Sequence, residues 1–305
     1  MAGVINTGTH PKLLWPGIRE IWGQVYDQHP TEYTDLYEVR NSQKAYEQDV
    51  QVTGFGLAPV KAQGGSIAYD SEQQGWVSTY SHIAYALGYI VTHEELADNL
   101  YKEVSQRRAK ANAFSCSQTV ENVGAFLYNN AFSTTYFTTP DGQSLISSAH
   151  VNATGGTYSN ALTPGADLSE ASLEDIGIQI MNATMDRGLK ISVMPKSLHI
   201  PTQEWYNANR ILKSVLQSNT ANNNINVLKA TNAFPEGIKM NHYFTSTSAW
   251  FVRTNTPNGM TMFWREKPNF DQDNDFDTKN AKAATYLRFS VGCTDPRGIY
   301  GSNGP

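Results

Sequence analysis

Basic runs, long apolar runs and cysteine are all scarce in this chain of 305 residues, and each scarcity removes a class of function. Lys and Arg number 23 against 28 Asp and Glu, a formal charge of −5. The chain therefore lacks the electrostatic footprint of a protein built to grip nucleic acid, although it would tolerate packed nucleic acid nearby. No apolar run reaches the length of a membrane span, and residues 1–10 show no basic segment followed by an apolar one, so neither insertion nor export is expected. The 2 cysteines, Cys116 and Cys293, are too few for a disulfide framework and are expected to be free thiols. Without a secretory route the sequons at Asn152 and Asn182 carry no glycan.

Signatures of catalysis are missing as well. His93-Glu94-Glu95 has Ala97 where a zinc-protease helix needs its second histidine, and no other His or Cys pair has zinc spacing. Asp271, Asp273, Asp275 and Asp277 alternate like the start of a calcium loop. Phe276, however, stands where the sharp turn needs glycine, and Lys282 where a bidentate glutamate is required, so a solvated acidic loop is expected. There is no phosphate loop, dinucleotide fingerprint or nucleophile elbow. No catalytic residue, cofactor or metal site is expected.

What is present is a mixture of strand and helix patterns, an α+β class, with enough apolar content (40%) for two interlocked domains. Residues 1–30 carry scattered Gly and Pro with isolated Trp15, Ile18, Ile21 and Trp22, and read as an extended arm lying on its own domain or on a neighbour. From 51 to 91 strand signals dominate. Val77, Thr79, Ser81, Ile83, Tyr85, Leu87, Tyr89 and Val91 share one face at period two, with Phe55 to Ala62 as the expected antiparallel partner. A lone ribbon of that kind is marginal in water and needs another surface to cover it. Thr92 and Glu95 form a capping box, and no proline follows until Pro140. Leu96, Leu100, Val104, Ala111, Val123 and Leu127 recur at helical spacing, which predicts one helix to about Asn130, roughly 58 Å long, with Gly124 as its weak point. Loops are expected over 134–165. An amphipathic helix is expected over about Ser169 to Asp186, ending near Gly188, then a strand over Leu189 to Pro201. Next comes a helix capped by Thr202 and buried through Trp205, Ala208, Leu212 and Val215. Strands near Ser248 to Thr254, Thr261 to Lys267 and Ala283 to Val291 close the pattern.

Two stretches point to a family. Met194-Pro195-Lys196-Ser197-Leu198-His199-Ile200-Pro201 leads into the Trp205 helix and Asn209-Arg210-Ile211-Leu212-Lys213-Ser214. Near the other end stand Arg265-Glu266-Lys267-Pro268, an acidic loop, Tyr286-Leu287-Arg288-Phe289-Ser290-Val291-Gly292 and Asp295-Pro296-Arg297-Gly298-Ile299-Tyr300-Gly301. In this order, after an arm, a hairpin and a very long helix, they resemble the tailed-bacteriophage major capsid proteins of the Hong Kong ninety-seven type.

The resemblance implies an arm (1–30), a peripheral domain (31–50, 92–144 and 256–305) with its spine helix, an extended hairpin loop (51–91) and an inserted axial domain (145–255). It implies self-assembly into pentamers and hexamers of an icosahedral shell in the virion, formed in the host cytoplasm around packaged double-stranded DNA held by weak non-specific contact. A separate scaffolding protein, a portal and a decoration or cement protein are the implied partners, with no membrane. Trp15, Trp22, Phe55, Lys61, Tyr69, Trp76, Tyr80, Tyr85 and Arg297 are the expected inter-subunit contacts, whereas Arg265 and Arg288 are expected to be structural. A Lys61 cross-link to Asn269, Asn274 or Asn280 of a neighbour matches no motif and is not expected. The competing readings are an encapsulin-like nanocompartment shell and, outside the fold, a cytoplasmic hydrolase with a scattered triad.

Overall fold

A computed structural model describes residues 15–97, 101–217 and 224–304. Its axis is the long helix: α3 (His93–Ala97) and α4 (Tyr101–Asn129) lie on either side of residues 98–100, which are outside the described set. The Thr92 hydroxyl accepts the Glu95 N–H at 3.3 Å, so the first turn is capped where the sequence placed the cap. Arg108 then holds both Glu95 carboxylate oxygens at 3.0 Å. The buried face of α4 is Ala109, Ala113, Cys116, Val120 and Leu127; Ala111 is exposed, so the expected stripe is displaced around the helix over this stretch. Gly124 is no weak point. A methyl there would sit 3.1 Å from Tyr33, and its carbonyl accepts the Tyr37 hydroxyl at 2.6 Å, so it lets α2 (Tyr33–Leu36) approach closely.

Residues 15–28 form a helix, α1 (Trp15–Gln28), instead of the described part of an extended arm. Pro16 falls in the first turn, where no intrahelical N–H is needed. Trp22, Val25 and Tyr26 fall one turn apart and pack into the chain's own core, with Trp22 stacked on Phe270 at 5.6 Å.

One sheet has the order β1 (Glu38–Asn41), β10 (Met260–Asn274), β11 (Ala281–Cys293), β4 (Ile83–Val91), with β1 parallel to β10 and the rest antiparallel. It packs on α4 and α1. Asn112 joins these layers: its carbonyl accepts from the Trp22 indole at 3.0 Å and from the Thr285 hydroxyl, and its amide donates to the Leu87 carbonyl at 2.9 Å. The acidic run lies mostly in the far half of β10 and in the turn to β11, so it belongs to a long hairpin and not to a free loop.

The second sheet has the order β12 (Ile299–Ser302), β9 (Trp250–Thr254), β7 (Pro195–Pro201), β8 (Ile238–Asn241). Its apolar face, including Leu198, Ile200, Trp250 and Val252, is covered by α5 (Glu170–Met181) and α6 (Trp205–Lys213). A capping box between Ser169 and Ser172 starts α5, which stops at Asn182, while Gly188 (φ 78°) serves the following turn. Thr202 gives no side-chain cap; a single 3-10 turn leads into α6, and Val215 at its end is 67% exposed. The opposite side of β9 places Phe251 against Tyr128 of α4, edge to face at 5.2 Å, which joins the two cores.

Candidate assembly surfaces

The hairpin expected over 51–91 is divided between two sheets. β2 (Tyr46–Val52) pairs antiparallel with β3 (Gln74–Ser81), from Tyr46↔Ser81 to Val52↔Gln74, so Phe55 to Ala62 is not the partner strand. β4 leaves the ribbon and joins the first sheet beside β11. The break is at His82, whose imidazole lies between the Ser42 hydroxyl (3.1 Å) and the Ser290 hydroxyl (3.0 Å). On β3 the buried residues are Ser78 and Tyr80, the face opposite to the one read from Val77 and Thr79. Burial of Tyr80 leaves no space at Gly292, where a methyl would lie 2.6 Å from its ring.

Residues 53–73 connect β2 to β3 without helix or strand and turn at Gly64 (φ 79°). They expose Phe55 (57%), Leu57 (83%), Val60 (101%), Ile67 (63%) and Tyr69 (93%). Covering such side chains is worth roughly 1.5–3 kcal/mol each, so this is the largest unclaimed apolar contribution on the ribbon. It is polar groups that fasten the base of the ribbon. The Gln51 amide donates to Asp186 at 3.1 Å, the Trp76 indole to the Val151 carbonyl at 3.0 Å, and Thr294 to Asp49 at 3.0 Å. Asp70 accepts the Gly56 N–H at 2.8 Å and pairs with Arg187. Those bonds and the Ser71 N–H hold its carboxyl down at about 2.

Beneath the ribbon is a buried charged knot. The Arg297 guanidinium donates to Asp186 and Asn152 at 2.8 Å and to the Thr184 carbonyl at 2.9 Å, and lies 4.1 Å over the Tyr158 ring. Burial raises the carboxyl of Asp295 despite the neighbouring Arg297. Tyr158 stacks in turn on His150, whose Nδ1 is 2.8 Å from Asp141. Burial opposes the Asp141 charge, but hydrogen bonds from His150, Thr139 and the Val151 N–H outweigh it and bring its carboxyl to about 2. Asp186 is shared between Arg297 and the Gln51 amide of the ribbon, so the knot ties the base of the ribbon to the turn before β12.

Of the residues expected at subunit contacts, Phe55, Lys61 and Tyr69 are exposed together on the ribbon. Trp76 and Tyr85 are half-buried, Tyr85 stacked on Phe289 at 5.2 Å. Trp22 (6%), Tyr80 (3%) and Arg297 (3%) are corrected to internal roles: each is enclosed by its own chain and bonded there. Arg265, expected to be structural, is instead exposed where the β10 register shifts. The side chain of Trp15 lies outside the described residues. Leu57, Val60 and Ile67 were missed, although apolar residues set among Gly, Pro and Gln signal a surface waiting for a partner.

The chain thus combines two joined cores, a long helix and a ribbon of exposed apolar side chains. A family model described as phage capsid protein matches residues 76–302, and the chain belongs to that family. It is a phage capsid protein, a structural component of the virion. Solved structures agree on the fold, the Hong Kong ninety-seven type. That of Microbacterium phage Oxtober96 has a TM-score of 0.54 at 10% identity, covering 91% of this chain and 92% of that one. Mycobacterium phage Patience gives 0.52 at 12% identity (99% and 89%). The virus-like particle from Pyrococcus furiosus gives 0.53 at 12% (94% and 98%). No curated protein matches the chain. The family match is to phage capsid proteins, so neither the nanocompartment reading nor the hydrolase reading is favoured.

Proposed function

We propose that the chain assembles into the pentamers and hexamers of a phage head, with the 53–73 ribbon of each subunit strapped across the adjacent one and an axial domain built on the second sheet at the capsomer centre. The observation that carries this reading is the exposed apolar ribbon, which the subunit's own body does not cover. Many such straps, each modest, give a strong shell through closed symmetry and multivalency. The acidic balance of the chain suits a container whose wall touches packaged double-stranded DNA only weakly, since a basic wall would hold the polymer through counterion release. A scaffolding protein, a portal and a decoration protein complete the proposed set of partners, and assembly takes place in the host cytoplasm. Among the described residues no helix is long and apolar enough to cross a membrane.

The test replaces Leu57, Val60 and Tyr69 together by Ser. The variant should keep the helical spectrum of the wild type yet yield no closed particles by electron microscopy. Normal shells from this variant would refute the strap.

A further inference from the structure

The two helices that cover the second sheet differ in charge, and apart from Lys213, whose Nζ lies 6.0 Å over the Trp205 ring, and Lys229, which donates to the Lys213 carbonyl at 2.7 Å, their outward charges have no partner among the described residues. On α5 the outward residues are Ala171, Glu174, Asp175, Ile178 and Met181, a stripe at helical spacing. Ile178 is 54% and Met181 48% exposed, and with Glu170 the helix carries three acids and no base. On α6 the outward residues are Tyr206 (77% exposed), Arg210 and Lys213. Val215 and Ile225 follow at 67% and 62%, brought together by the bridge between Leu216 and Ile225, and α7 (Val227–Ala230) adds Lys229. Among the described residues Glu170, Glu174, Asp175, Arg210 and Lys213 form no ion pair. The two helices approach each other only at the start of α5, where the Asn207 amide donates to the Leu168 carbonyl at 2.9 Å. α5 packs on β12 and α6 on β8, the opposite edges of the four-stranded sheet, roughly 14 Å from edge to edge at the usual strand spacing.

One domain thus has, toward opposite edges, an acidic stripe with apolar residues and a basic stripe with apolar residues. Two different, complementary patches on one subunit make a heterologous contact, which closes into a ring when the rotation between copies is right. A self-complementary patch would pair subunits two by two and stop. We infer that the α5 stripe of one copy docks on the α6 stripe of the next, Glu174 and Asp175 facing Arg210 and Lys213, and that this pairing sets the direction of the ring. The partner is a second copy of this chain, and the inference rests on the capsomer reading above. Opposite charge contributes steering and register, and the apolar residues contribute the contact area. A decoration protein seated on either stripe is the alternative occupant.

Charge exchange tests the pairing. Glu174→Lys with Asp175→Lys, and separately Arg210→Glu with Lys213→Glu, should each cut the particle yield about tenfold or more through like-charge repulsion. All four changes together should restore wild-type yield. Particles at wild-type yield from either double variant, or no recovery in a folded quadruple variant, would overturn the pairing. If a reversal unfolds the subunit, Asp175→Cys with Arg210→Cys replaces it. After copper-phenanthroline oxidation, wild-type particles should show no covalent multimers on denaturing gels. Variant particles should show a ladder, and its absence overturns the pairing, including in favour of a decoration protein. A wild-type chain that stays monomeric overturns the capsomer reading itself, whereas failure of the pairing alone leaves wild-type shells intact.

Discussion

Glu121 shows how much a single side chain can hold. It projects from α4, is 2% exposed, and accepts the backbone N–H groups of Glu32 (3.0 Å) and Tyr33 (2.9 Å) at the start of α2. Glu32 in turn pairs with His242, just beyond β8, so one carboxylate touches a chain of contacts from the spine to the second sheet. Burial pushes the Glu121 carboxyl up to about 7, against the pull of the two N–H groups. A raised acid stabilises the fold fully below its unfolded value of 4.5, and that stability is lost as pH rises through about 7, with an upper bound of about 3 kcal/mol. The melting temperature of the wild type should therefore fall between pH 5 and pH 8, and Glu121→Gln should flatten that slope. Equal slopes would show that the carboxyl does not titrate there. No sequence rule exposes this residue, because a glutamate on a long helix reads as solvated. Arg297 was expected at a subunit contact, but beside its sequence neighbour Asp295 it meets Asp186, an acid brought to it only by the fold.

At the scale of elements, local signals were faithful where one rule acts alone. The cap at Thr92 and the two longer helices and four of the strands after residue 169 were legible, because periodicity and capping are properties of neighbouring residues, whereas the short β8 and β12 were not anticipated. Pairing was not legible. Tyr46–Val52 and Phe55 to Ala62 are both plausible partners for β3, and the choice depends on bonds to distant residues such as Asp186 and Thr294. The α1 helix was hidden by Pro16 and Gly23, though Ile18, Ile21, Trp22, Val25 and Tyr26 already had helical spacing. Glycines give a sharp test of the resulting packing. Gly259 and Gly298 meet backbone to backbone, and a methyl on Gly298 would lie 2.5 Å from the Gly259 Cα. Gly298→Ala should destabilise the subunit by about 2–4 kcal/mol, since neither partner is a flexible side chain. Gly177, inside α5 with nothing within 4 Å, should do the reverse. Gly177→Ala should gain about 0.5–1 kcal/mol in chemical denaturation. If the two substitutions behave alike, this account of close approach is wrong.

The whole molecule divides into parts that are stable in the lone subunit and parts that are incomplete there. Both cores and α4 are closed by the chain's own residues, whereas the backbone pairing of β2 with β3 ends at the Thr53–Gln73 bond, and the residues between leave Phe55, Leu57, Val60, Ile67 and Tyr69 without apolar cover. Amide hydrogens of 53–73 should exchange rapidly in the free subunit and become protected in the shell, while those of α4 should be protected in both. Equal exchange of 53–73 in the two states would remove the ribbon from the interface. The return of β12 to the second sheet has its own consequence. Residues 299–302 form an edge of a sheet whose strand β7 begins at Pro195, about a hundred positions earlier. A ribosome adding roughly 5–20 residues per second releases β7 several seconds before β12 exists. The long helix and the ribbon are thus made while that sheet still lacks its edge strand, and the second sheet is completed only when residues 299–302 have been added.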